Sequence, residues 1–198
     1  MWAIGVTGSI ATGKSTVLEA FAKQGVPVFS ADAAVAELYA GEAVGAVEAL
    51  FPGVVSNGIV DRQKLAQRLA ADPSGFARLE ALVHPMVRAR IADFIKNAAA
   101  RGEPVVAVEV PLLFESGHDY GFDAIAVTHV DEEVQKARIM ARPGMTGDKR
   151  DALLARQLPQ AEKMKRATYL FDTSRSRADI EHMVAELVAG IRAAQGRT

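Results

Sequence analysis

The chain has no cysteine, which excludes disulfides, thiolate metal sites and a cysteine nucleophile. Histidines number four (His84, His118, His129 and His182) and no two form a His-x-x-x-His pair, so a histidine-built metalloenzyme is not expected. Aromatic residues make up 6%, and the basic stretch near the C-terminal third has none interleaved apart from Tyr169 and Phe171, which read as core strand, so a stacking surface for nucleic acid is not expected. Formal net charge is −1, so no global field draws the molecule to nucleic acid or membrane. No apolar run reaches membrane-spanning length. The apolar start up to Lys14 lacks the flanking positive charge of a secretory signal. These absences leave a cytoplasmic protein of 198 residues that acts on small molecules, expected as a monomer or weak homo-oligomer.

What is present is a glycine-bounded string near the start. Gly8-Ser9-Ile10-Ala11-Thr12-Gly13-Lys14-Ser15-Thr16 fits G-x-x-x-x-G-K-[ST], the loop that cradles nucleotide phosphates. Trp2 to Thr7 before it reads as a buried strand. Ser15 to Gln24 after it carries Val17, Leu18 and Phe21 at helical spacing. Strand, glycine loop and helix in that order aim backbone N–H groups and the helix dipole at an anion. Lys14 is then placed to bridge the β- and γ-phosphates of ATP, and the Ser15 hydroxyl to hold Mg²⁺.

Further short strands are expected at Val26–Ser30, Pro104–Val110, Ala124–Val130 and Tyr169–Phe171. Helices are expected at Ala33–Ala40, Glu42–Phe51, from an Asp61 cap to Ala71, Pro73–Leu82, His84–Arg101, Glu132–Arg142, Asp148–Gln157, Pro159–Ala167 and Ala178–Ala194. The alternation implies an α/β fold of three layers, with a five-stranded parallel sheet covered on both faces. The expected division is one P-loop domain: a core of about 1–32, 103–135 and 168–198, a helical insertion of about 33–102, and a basic lid of about 136–167. Ligands of such sheets bind beyond the carboxyl ends of the strands, which sets the glycine loop, Asp32 and Pro111–Glu115 on one rim.

Asp32 follows the second strand and can take the proton of an attacking hydroxyl, or else cap the helix beginning at Ala33. Glu109 ends the apolar run Val105–Val108 and can reach the Mg²⁺ shell through water; Glu115 is a second candidate. His84-Pro85 opens a helix, as a cap or as a ligand contact. Between Lys136 and Arg166 nine basic residues face three acidic ones, a local charge of +6. Arg138 and Arg142 stand four apart on one helix face. Such a one-signed cluster suits a lid that closes over polyphosphate, and a solvated helical face is the other reading.

Gly5-Val6-Thr7-Gly8 through Thr16, Ala31-Asp32, His84-Pro85, Pro111-Leu112-Leu113-Phe114-Glu115, Arg138, Arg142, and Gln157-Leu158-Pro159 before Lys163 follow the order seen in dephospho-CoA kinases, which the chain resembles over nearly its whole length. The resemblance implies an adenylate-kinase-like fold and ATP-dependent phosphorylation of the 3′-hydroxyl of dephospho-CoA, the last step of coenzyme A synthesis. It also implies Asp32 as general base, Lys14 and the loop amides as the ATP-phosphate site, and Arg142 as a lid arginine. His84 and Leu113–Glu115 fall where that family builds its acceptor pocket. Ser30 stands where many members have an aspartate, which leaves Asp32 as the base candidate at that motif; Thr168 and Thr173 replace a common aspartate and asparagine, and the second removes an adenine-edge contact that backbone groups could supply. Another small-molecule kinase acting on a nucleoside or nucleotide would keep the same core. A GTP switch is excluded by the lack of an N-K-x-D string and by the position of the only D-x-x-G, Asp72–Gly75, between expected helices.

Overall fold

The computed structural model describes residues 1–195. The last three residues of the expected core segment 168–198 lie outside the described ones. Packing divides the chain into two compact units, Met1–Ser30 together with the chain from Ile95 onward, and Ala31–Phe94.

The first unit is built on strands β1 (Trp2–Gly8), β2 (Val28–Ser30), β5 (Val105–Glu109), β6 (Ala124–His129) and β7 (Tyr169–Asp172). They form one parallel sheet in the order β2-β5-β1-β6-β7. β1 and β5 are the central hydrophobic runs, and Val105 to Glu109 is buried throughout. The helix α1 (Lys14–Lys23) and the last helix α9 (Arg177–Gln195) supply one covering layer. Val17 and Phe21 of α1 pack with Ile180, Val184, Val188 and Ile191 of α9 against Ile4, Val6, Val105, Ala107 and Phe171 of the sheet. The i, i+4, i+8 and i+11 spacing of the α9 residues makes this a single apolar stripe. Gly5 faces the other way, where a Cβ would lie 2.4 Å from the Phe122 ring, so only glycine lets that ring sit on the sheet.

Beyond the sheet this unit carries α6 (Glu132–Met140), α7 (Gly147–Ala155) and α8 (Gln160–Lys165). Asp131 and Thr146 cap the first two through their side chains, as residues with short polar side chains do. α7 buries no residue, and α8 buries Lys163.

The second unit holds α2 (Ala31–Tyr39), α3 (Val44–Leu50), a two-stranded hairpin of β3 (Val55–Ser56) and β4 (Ile59–Val60), α4 (Arg62–Ala71) and most of α5 (Gly75–Ala100). The hairpin is absent from the sequence expectation. Its turn, Asn57-Gly58, has φ of 53° and 78°, the two positive values that a tight primed turn needs. The expected pair of helices, Pro73–Leu82 and His84–Arg101, is one continuous helix with Pro85 inside it. Proline removes one N–H and crowds the carbonyl four residues back. Here that carbonyl belongs to Ala81, which is exposed like Pro85 itself, while Val83, Val87 and Ile91 are buried on the helix. Burial of that stripe outweighs the local penalty. Asp61 caps α4 as expected, accepting from Gln63 N at 2.9 Å and Lys64 N at 3.1 Å.

Candidate active site

The loop between β1 and α1 is held from below by three threonines. Thr12 Oγ1 lies 2.7 Å from Thr128 Oγ1 and donates to Ser9 O at 2.8 Å. The Thr173 hydroxyl donates to Thr12 O at 2.9 Å and accepts from Arg138 Nη1 at 3.1 Å. The two glycines of the motif are required by these neighbours. A Cβ on Gly8 would lie 2.2 Å from Thr128 Oγ1, and one on Gly13 would lie 2.8 Å from Thr173 Oγ1. Gly13 also has φ of 81° and is the N-cap of α1, so no side chain takes the first N–H groups of the helix. Those groups, with the dipole behind them, form an anion-binding end. Lys14 Nζ lies over the same loop, 3.1 Å from Gly8 O and 3.3 Å from Ser9 O. Ser15 follows it, exposed in the first turn of α1. Ala11, at the crest of the loop, has φ of 62°, unusual for a residue with a Cβ.

The carboxyl ends of the strands bring a second group together. Ser30 and Glu109 are register partners on β2 and β5, and Ser30 Oγ donates to Glu109 Oε2 at 2.8 Å. Glu109 is buried. Ala31 follows directly and begins α2, so Asp32 lies inside the first helical turn rather than capping it, and it is exposed. A carboxylate there meets the positive end of the helix dipole.

Arg138 is anchored just past the end of β7, with Nη2 donating to Thr173 O at 2.8 Å. Arg142 is exposed in the connection from α6 to α7. The basic cluster is more paired than its sequence suggests. Lys136 lies 3.1 Å from Glu132 and 2.9 Å from Glu133, just outside the stretch first counted. Lys163 is wholly buried and meets Glu115 at 2.7 Å. Sequence proximity hides Glu115 because it lies 48 residues before its partner. Arg166 covers the Phe114 ring at 5.4 Å, and Leu113 is buried.

A match to the dephospho-CoA kinase family spans residues 2–179. The chain belongs to that family. A relative named dephospho-CoA kinase from Rhodopseudomonas palustris is 50% identical over 186 residues, which is 94% of each chain. A crystal structure from Thermus thermophilus superposes with a TM-score of 0.78 at 34% identity, covering 96% of this chain and 97% of that one. A dephospho-CoA kinase from Campylobacter jejuni has a TM-score of 0.74 at 26% identity, covering 99% and 98%. The α/β P-loop fold expected from the sequence is therefore established.

Within this family member the candidate residues fall into separate groups. Gly8 to Thr16 and Arg138 are joined by the threonine network. Leu113, Phe114 and Glu115 are engaged by the core, Arg166 and Lys163 within the same unit. Asp32 and His84 belong to the other unit. His84 is not a helix cap; it lies mid-helix on α5, one turn from Glu80 and one turn from Arg88. Burial holds its pKa below the ordinary 6.5, Arg88 adds to that effect, and Glu80 opposes it. Arg88 Nε is buried without a hydrogen-bond partner.

Sequence reasoning assigned no role to Gln135 or Gln157, and counted Lys163 only as one charge of the basic cluster. Gln157 Oε1 accepts from Ile10 N at 2.9 Å, and Gln135 Nε2 donates to Ile10 O at 2.8 Å. The signal available for Gln157 was the Gln157-Leu158-Pro159 string ahead of Lys163; Gln135 had none. Among the described residues no group of three or more His, Asp or Glu is gathered to hold a metal, and no helix is long and apolar enough to cross a membrane.

Proposed function

We propose that the chain transfers the γ-phosphoryl group of ATP to the 3′-hydroxyl of dephospho-CoA, giving coenzyme A and ADP. The family match over residues 2–179 carries this reading, and the intact phosphate loop supports it. In it the loop amides from Gly8 to Thr16 and Lys14 hold the β- and γ-phosphates. Asp32 accepts the proton of the ribose hydroxyl as that oxygen attacks phosphorus in line with the departing ADP oxygen. Arg138 and Arg142 face the charge that develops on the transferred group as a lid of about residues 136–167 closes.

Mg²⁺ fits the residues present. This ion keeps several waters and binds through few protein groups plus substrate phosphates, so one exposed hydroxyl, that of Ser15, suffices. Glu109, whose Oε2 accepts from Ser30 Oγ, would serve the metal through water when it is bound. When bound, the ion neutralises phosphate charge in the transition state. His84 and the Leu113–Glu115 segment serve the acceptor side.

The test is to supply ATP with Mg²⁺ and, in turn, dephospho-CoA, AMP, CMP and pantothenate, and to follow ADP formation. Dephospho-CoA is expected to give turnover far above the others. Equal or greater turnover with a nucleotide acceptor would move the assignment to another small-molecule kinase.

A further inference from the structure

Ile10 is gripped from both sides of its backbone. Its N–H goes to Gln157 Oε1 at 2.9 Å and its carbonyl receives Gln135 Nε2 at 2.8 Å. The next residue is Ala11, whose φ of 62° is left-handed. A residue with a Cβ stays in that region only where its surroundings over-determine it. Gln135 fixes the peptide group between Ile10 and Ala11, Gln157 fixes the one before it, between Ser9 and Ile10, and the Thr12–Thr128–Thr173 network fixes the carboxyl side.

Gln157 is itself held with little freedom. The next residue, Leu158, donates its N–H to Glu115 Oε1 at 2.8 Å, and the same carboxylate holds Lys163 at 2.7 Å. Gln160 doubles this with both ends of its amide, accepting from Val130 N at 3.1 Å and donating to Val130 O at 2.7 Å. A side chain on an anchored segment loses little entropy in making one more hydrogen bond. The same segment, with Ser9 and Gln135, lines a cavity of about 460 Å³.

We propose that Gln157 is a positioning residue for the phosphate loop: by accepting the Ile10 N–H it holds Ala11 in its left-handed turn and keeps the loop amides aimed at the nucleotide phosphates. This rests on the reading of the loop as the ATP site. Gln157 touches no reacting atom in this account; it acts through Ile10. The Glu115–Lys163 pair fixes Gln157 in turn, which gives those two buried charges a purpose beyond stability.

Two variants test this. Gln157→Met keeps the length of the side chain and loses the acceptor, whereas Gln157→Glu keeps an acceptor oxygen. Hydrogen exchange of the Ile10 amide is read by NMR on the full chain without substrate. ATP-Mg affinity is read by calorimetry, and KM and kcat by ADP formation. In Gln157→Met the Ile10 amide is expected to lose protection, with ATP affinity weakened about tenfold, the magnitude of one net hydrogen bond. The KM for dephospho-CoA and the melting temperature stay close to the parent's. Gln157→Glu restores protection of Ile10. Parent-like ATP affinity in Gln157→Met, or an Ile10 amide that exchanges equally fast in the parent, overturns the proposal. If the parent binds no ATP, the reading of the loop fails instead, and the exchange comparison alone decides whether Gln157 holds Ile10.

Discussion

Replacing Lys163 or Glu115 tests the buried pair at the base of the expected lid. The Lys163 side chain has no exposed surface and that of Glu115 is 14% exposed, with the charges 2.7 Å apart. Lys163 also reaches Pro111 O, at a long 3.4 Å. Glu115 Oε1 also accepts from Leu158 N at 2.8 Å, while its Oε2 is buried with no hydrogen-bond partner. Removing one partner of a buried pair costs about 3–5 kcal/mol, because the survivor is left charged and without a counter-ion. The asymmetry sets the order. Glu115→Leu strands an ammonium with no exposure and falls at the upper end, whereas Lys163→Met strands a carboxylate that keeps the Leu158 donor on Oε1 but has a buried, unpartnered Oε2, and falls lower in the same range. For a chain of this size each kcal/mol moves the melting temperature by about 2–4 °C, so losses of about 6 to 20 °C are expected. The double variant replaces both charges with apolar groups and is expected to be less destabilised than the sum of the singles by about 2 kcal/mol or more. Urea unfolding of the four proteins, with the slope compared to exclude a change of mechanism, gives the cycle. Single variants within about 1 kcal/mol of the parent, or strict additivity in the double, would refute the reasoning.

Three further predictions concern separate features. His84 is held neutral by burial, so its folded pKa lies below its unfolded value and the unfolded chain takes up a proton more readily. Stability is therefore fully present above pH 6.5 and falls as the pH drops through that value toward the folded pKa; melting curves against pH should flatten in this window for His84→Gln, and an unchanged profile would contradict the assignment. Ala11→Gly relieves the left-handed strain at the loop crest and should stabilise the protein by about 1 kcal/mol in urea unfolding, whereas a loss of stability would show that Ala11 is not strained. Pro85→Ala restores an N–H to α5 and should stabilise it by about 1–2 kcal/mol; a decrease would mean that the proline is needed for packing.

The parts of the fold that were legible from sequence are those where one periodicity dominated. Val105 to Val108 could only be a buried strand, and Ile180, Val184, Val188 and Ile191 only one face of a helix. The β3–β4 hairpin carried an Asn-Gly turn signal, but two residues on each side are too few to show alternation. Pro85 reads locally as a boundary, and only the burial of Val83, Val87 and Ile91 around it reverses that reading. The phosphate loop was legible because its chemistry fixes residue types at fixed offsets. Its supports were not, because Thr128, Gln157 and Thr173 reach it from distant segments by single hydrogen bonds. The basic stretch misled for the same reason, since the counter-ion of Lys163 is supplied by a loop far away in sequence.

The central claim is that Asp32 activates a ribose hydroxyl for attack on ATP held at the loop from Gly8 to Thr16. Single-turnover conversion of dephospho-CoA, followed by ³¹P NMR for the new 3′-phosphomonoester, tests it most directly when the parent is set beside Asp32→Asn. The account predicts the monoester with the parent, and a rate lower by about 10²- to 10⁴-fold with Asp32→Asn while ATP affinity stays near the parent's. Turnover of Asp32→Asn within about tenfold of the parent would contradict it.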